Sequence, residues 1–147
     1  MRYLLPLTAF LLSGIASADD LLITGSPDNV PTTVERLTRA IESKGLQLFA
    51  RIDHSAGAEK AGMTLAPNQV VIFGNPKIGT LLMQQNPAIG GDLPLRISVW
   101  EDAQGQTRIG YRDIQVVAAA YAIDPQLPVV QKIRGALATL ANEAAGH

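Results

Sequence analysis

Val70-Val71-Ile72-Phe73-Gly74-Asn75-Pro76-Lys77-Ile78-Gly79-Thr80 is the stretch that decides the fold. Its first four residues are apolar in succession, so both faces of the segment need cover, which places this strand in the interior of a sheet. Gly74 interrupts the run, Asn75 suits a helix cap, and Pro76 suits the first helical position, where a missing N–H costs nothing. Ile78, Leu81, Leu82 and Gln85 then recur at helical spacing until Pro87 ends the pattern. A covered strand that feeds directly into a helix implies a sheet with helices packed on it.

Toward the N-terminus, Asp20 to Gly25 reads as a strand closed by a Gly-Ser-Pro-Asp turn. A helix follows. Thr32 and Glu35 have the spacing of a capping box, Val34, Leu37, Thr38 and Ile41 share one face, and Gly45 after Lys44 is a stop. On the outer face Glu35 precedes Arg39 by four residues, a favourable pair. Leu46, Leu48, Ala50 and Ile52 alternate with Gln47, Phe49, Arg51 and Asp53, the period-two pattern of a strand with one buried face. His54 to Gly62 suggests a loose turn or short helix.

Toward the C-terminus, Leu95, Ile97 and Val99 alternate with Arg96, Ser98 and Trp100, and Thr107, Ile109 and Tyr111 alternate with Arg108, Gly110 and Arg112. The turn residues from Asp102 to Gly105 join them into a β-hairpin. Trp100 falls on the face opposite Ile97 and Val99, where helices, a second subunit or a ligand would have to cover it; helices are the simplest cover. Val116 to Ile123 is helical in pattern, Asp124 and Pro125 break it, and Val130, Ile133, Leu137, Leu140 and Ala144 form a final stripe. The order is β-α-β-(α)-β-α-β-β-α-α, an α+β fold with a single sheet of about five strands packed against helices.

At the start of the 147-residue chain, Met1 and Arg2 precede an apolar run, Leu4 to Ile15, closed by Ala16-Ser17-Ala18. That order is the signature of a removable secretory signal, so residues 1–18 are expected to be a leader and residues 19–147 a single domain. The expected location is the periplasm or the medium, after cleavage near Ala18–Asp19. The apolar run is well short of the roughly 20 residues that span a bilayer, and no stable membrane association is expected. The chain has no cysteine, so packing alone must stabilise it. Twelve basic against 13 acidic groups, interspersed and without a basic block, argue against nucleic acid as a partner.

The motifs Ile52-Asp53-His54, Val71 to Thr80, Leu93-Pro94-Leu95-Arg96-Ile97-Ser98-Val99-Trp100-Glu101-Asp102 and Tyr111-Arg112-Asp113 resemble the family called domain of unknown function 302. The resemblance covers about Ile52 to Asp113. It implies a small α+β fold and a homodimer, and it brings no catalytic residues with it.

Candidate sites are sparse. The Gly74–Thr80 junction offers an anion the N–H groups of a helix start, with Lys77 as counter-charge and Asn75 and Thr80 as hydrogen-bonding groups. The P-loop spacing is absent, because Thr80 and not Lys follows Gly79. His54 and Arg96 are outer candidates for the same ligand. His54 lies beside Asp53 and Ser55, but neighbours on a strand point to opposite faces and make poor triad partners. A metal site would have to combine His54, Asp53, Glu59, Met63 and His147 without recognised ligand spacing, and Glu101-Asp102 reads as a solvated turn. No catalytic residue, metal or cofactor is assigned. The expected function is a homodimeric binding module for a small anionic or polar ligand. Its rivals are a structural or protein-interaction domain that assembles through a sheet face or edge, and an enzyme with His54 as acid or base.

Overall fold

The computed structural model describes residues 20–147, so the leader assigned to residues 1–18 lies outside the described residues. The elements run β1 (Leu21–Ser26), α1 (Val30–Ser43), β2 (Gln47–Asp53), α2 (His54–Lys60), β3 (Asn68–Gly74), α3 (Pro76–Gln85), a 3-10 helix (Pro87–Asp92), β4 (Leu95–Glu101), β5 (Thr107–Arg112), α4 (Ile114–Ala120) and α5 (Pro128–Ala144). The five strands form one antiparallel sheet in the order β1-β5-β4-β3-β2, so the protein is an α+β fold with the expected element order. β3 has a strand on each side, as its unbroken apolar run requires.

The helices cover one face. Val71 and Phe73 of β3, Ile97 and Val99 of β4 and Ile109 of β5 meet Val34, Leu37 and Ile41 of α1 and Val130, Leu137 and Leu140 of α5 in a single buried cluster. Register explains the choice. Val71 pairs with Ile97 and Val99 with Ile109, so one side of the pleat gathers the aliphatic residues.

Four local expectations need correction. The cap of α1 is Asn29, whose Oδ1 accepts from Thr32 N at 2.9 Å, in place of the Thr32–Glu35 box, and Pro31 lies in the first turn. An Asn one residue before the helix satisfies the same orphan N–H groups, so helix formation begins earlier. Glu35 pairs with Arg51 of β2 at 2.6 Å, and not primarily with Arg39. The cause is a β-bulge between Leu48 and Ala50. Phe49 is the extra residue, so Arg51 turns toward α1 and Ile52 to the outer face, reversing the expected alternation. Finally, the helices do not cover Trp100. Its ring lies over the neighbouring strand, where a Cβ on Gly110 would stand 2.7 Å from Cζ3 and 2.8 Å from Cη2. Only glycine at position 110 lets the indole settle there.

Candidate functional site

β3 ends by turning its last side chains apart. Phe73 is buried in the core, and Gly74 faces the other way beneath the Phe49 ring, close to Pro94. Asn75 Oδ1 accepts from Lys77 N at 3.0 Å and caps α3, while Pro76 takes the first helical position, as the sequence indicates. The resulting helix leans over the 3-10 segment, and between them and the end of the sheet opens a cavity of about 260 Å³. Ile78, Gly79 and Met83 of α3 form one wall. Gly90, Leu93, Pro94 and Leu95 form another, and Phe49, Gly74 and Ile133 of α5 complete it. The wall is therefore apolar except for Asn75 and the backbone.

The five residues singled out from the sequence are not gathered in one place. Asn75 belongs to the cavity wall. Lys77 is exposed on the first turn of α3, and the exposed Thr80 donates its hydroxyl to Pro76 O at 2.7 Å. That bond occupies the proton a ligand would have received. His54 is exposed at the start of α2; its neighbour Asp53 caps that helix, with Oδ1 accepting from Ser55 Oγ at 2.6 Å and Ala56 N at 2.9 Å. The Ser55 hydroxyl, ahead of the Ala56 amide, holds the Asp53 carboxyl below its ordinary pKa. The Asp-His-Ser sequence is thus a helix start.

Arg96 sits on the outer face of β4, 3.9 Å from Asp92. It borders a second, smaller cavity of about 40 Å³ with Arg112 and Asp92. Arg112 donates to Asp20 at 2.8 and 2.6 Å and to Asp92 at 2.9 Å, and Tyr121 Oη donates to Asp92 at 2.6 Å. The Asp20 hydrogen bond raises the Arg112 pKa, and the Asp92 hydrogen bond raises that of Tyr121. This network ties the start of β1 to β5, α4 and the 3-10 segment; its groups are spent on one another. Among the described residues, no group of three or more His, Cys, Asp or Glu could hold a metal ion.

Sequence reasoning located the junction but missed Phe49, Met83, Leu93 and Ile133. The available signal was the density of Gly and Pro at Gly74, Pro76, Gly79, Gly90 and Pro94, residues that expose backbone.

A family model described as domain of unknown function DUF302 matches residues 23–144, well beyond the motif stretch. The chain belongs to the DUF302 family. The crystal structure of an uncharacterised conserved DUF302 protein from Bacillus stearothermophilus superposes with a TM-score of 0.76 at 19% identity, covering 86% of this chain and 99% of that one. At that identity the likeness concerns the fold. Among curated proteins, fluoride-specific ion channel FluC 1 of Brucella suis biovar 1 (strain 1330) is 36% identical over 118 residues, which is 80% of this chain and 44% of that protein. FluC 2 of Brucella melitensis biotype 1 is likewise 36% identical over 118 residues and is covered to 42%. This chain therefore spans less than half the length of the curated relatives it matches. Among its described residues no helix is long and apolar enough to cross a membrane.

Proposed function

We propose that this DUF302 chain is an extracytoplasmic binding module, one domain from Asp19 onward after loss of the leader, whose ligand sits in the cavity beneath α3. The observation that carries this reading is the cavity itself: an open space of about 260 Å³ at a strand-to-helix junction, apolar with a single polar side chain at its wall. The apolar wall favours a ligand with an apolar body over the small anion that the helix start suggested. Asn75 remains a hydrogen-bonding group, whereas Lys77, Thr80, His54 and Arg96 do not face a common space. Fluoride conduction is not carried over to this chain, which spans less than half the length of the channels it matches.

Native mass spectrometry of protein purified from the export compartment tests the reading, because one spectrum reports the processed N-terminus, the subunit count and any retained small molecule. A mass starting at Asp19 with a bound adduct is expected. An unprocessed chain would remove the export assignment, and saturating ligand screens without any binder would remove the module.

A second reading, self-association, draws on the uncovered sheet face. Ile23 is 53% exposed and Ile52 42%, with Trp100 half-buried between them on the same side. Five strands about 4.8 Å apart and about 20 Å long present roughly 500 Å² in projection. That is the order of the roughly 800 Å² of accessible surface each partner contributes to a stable interface. Light scattering at micromolar concentration separates a homodimer from a monomer.

A further inference from the structure

The geometry points to a flat, neutral aromatic molecule of about two fused rings as the occupant of the cavity beneath α3; this deepens the reading above and rests on that cavity being a ligand seat. Size comes first. A dry cavity of roughly 150 Å³ in another protein takes up benzene. The space here is about 260 Å³, large enough for a second ring.

The walls carry the argument further. Gly74, Gly79 and Gly90 let neighbouring side chains of the wall rest directly on backbone. A Cβ on Gly74 would meet Phe49 Cε2 at 3.4 Å, one on Gly79 would meet Leu93 Cδ1 at 3.8 Å, and one on Gly90 would meet Met83 Sδ at 3.3 Å. With no Cβ to push them away, the Phe49 ring and the Met83 thioether stay in the wall and line the space. Such surfaces suit a planar π-system: rings stack in offset or edge-to-face geometry, and sulfur favours contact with a ring edge. A flexible alkyl chain gains neither and loses rotamer freedom on binding.

Charge excludes the remaining class. No ionisable side chain belongs to the wall, so a carboxylate or phosphate buried there would be desolvated without a counter-charge. Asn75 spends its Oδ1 on Lys77 N and keeps its amide N–H groups as donors for a ring substituent at the rim.

Titration of isotope-labelled protein with indole, octanol and inorganic phosphate, followed by amide NMR shifts, tests the inference. Indole should move the amides of Gly74, Gly79 and Gly90 and bind about ten-fold more tightly than octanol, while phosphate moves none of them. Gly79→Leu should weaken indole about ten-fold or more, and Lys77→Ala should leave it within about two-fold. If the leucine variant does not fold, Gly79→Ala, whose methyl meets only ordinary contacts, carries the test with a loss of about three-fold. Octanol binding there as tightly as indole would overturn the aromatic assignment and leave the seat intact. No shift at those three glycines with either probe would overturn both.

Discussion

The two faces of the sheet are built from the same strands and have opposite fates. On the inner face Val71, Phe73, Ile97, Val99 and Ile109 are sealed beneath α1 and α5. On the outer face Ile23 and Ile52 stand open, the Trp100 ring rests against Gly110, and Arg96, Arg108 and Arg112 share the surface. Since successive side chains alternate between faces, the difference is set residue by residue. The inner set holds the fold together, and the outer set is available for contact with something else.

The sharpest way to break this contrast is truncation on either side. Phe73→Ala should cost about 3–5 kcal/mol and Ile97→Ala about 2–5 kcal/mol, because each leaves a cavity under the helices. Ile23→Ala, already exposed, should stay within about 0.5 kcal/mol. Urea unfolding measures all three, and similar midpoints for Ile97→Ala and Ile23→Ala would erase the distinction.

Between those extremes lies Gly110→Val. The new side chain displaces the Trp100 indole and should cost about 1–3 kcal/mol. Trp100 is the sole tryptophan of the sequence, so its fluorescence reports the displacement directly as a red shift. An unshifted spectrum would mean that the indole does not rest on Gly110.

For the outer face as an association surface, Ile23→Asp combined with Ile52→Lys should weaken any homodimer about ten-fold or more while leaving the unfolding midpoint nearly unchanged. Light scattering over a concentration series reads the first effect and urea the second. A dimer indifferent to both substitutions would move the contact elsewhere.

The smallest effect is at the β4–β5 turn. Asp102 accepts from Arg108 Nε at 2.7 Å and from Gln104 and Gln106 N–H groups, and the Arg108 bond is first among the causes that lower its pKa. A carboxyl with a depressed folded pKa contributes stability that is present above its unfolded value and lost as pH falls through the folded one. The urea midpoint should therefore drop on acidification below the ordinary Asp range, and Asp102→Asn should flatten part of that slope. An unaltered slope would show the turn to be indifferent to this charge.

Much of the fold could be read from local pattern. The alternation at Leu95, Ile97 and Val99, the stripe from Val130 to Ala144 and the Asn75-Pro76 start each needed only neighbouring residues to be interpreted. Apart from the cap of α1, which is Asn29 and not Thr32, the misreadings share a cause. Phe49 is an extra residue only relative to the β3 strand it pairs with, and Trp100 finds its place because position 110, on another strand, lacks a side chain. The candidate site divides in the same way. Gly74 and Asn75 mark the junction in sequence, but its apolar character comes from Phe49 and Ile133, which folding brings in from β2 and α5. The Lys77 charge and the Thr80 hydroxyl suggested a polar ligand, whereas the cavity wall includes neither side chain.

The bulge at Phe49 has a bearing on solubility. β2 is a terminal strand of the sheet, and an uninterrupted ladder there would be a template on which further copies could add, strand after strand, toward a fibril. The extra residue spoils the regular spacing of donors and acceptors that such growth demands. Deleting Phe49 would join Leu48 to Ala50 in one continuous ladder with Ile52 still opposite Val70 on the outer face, giving a neater sheet and a protein more prone to polymerise.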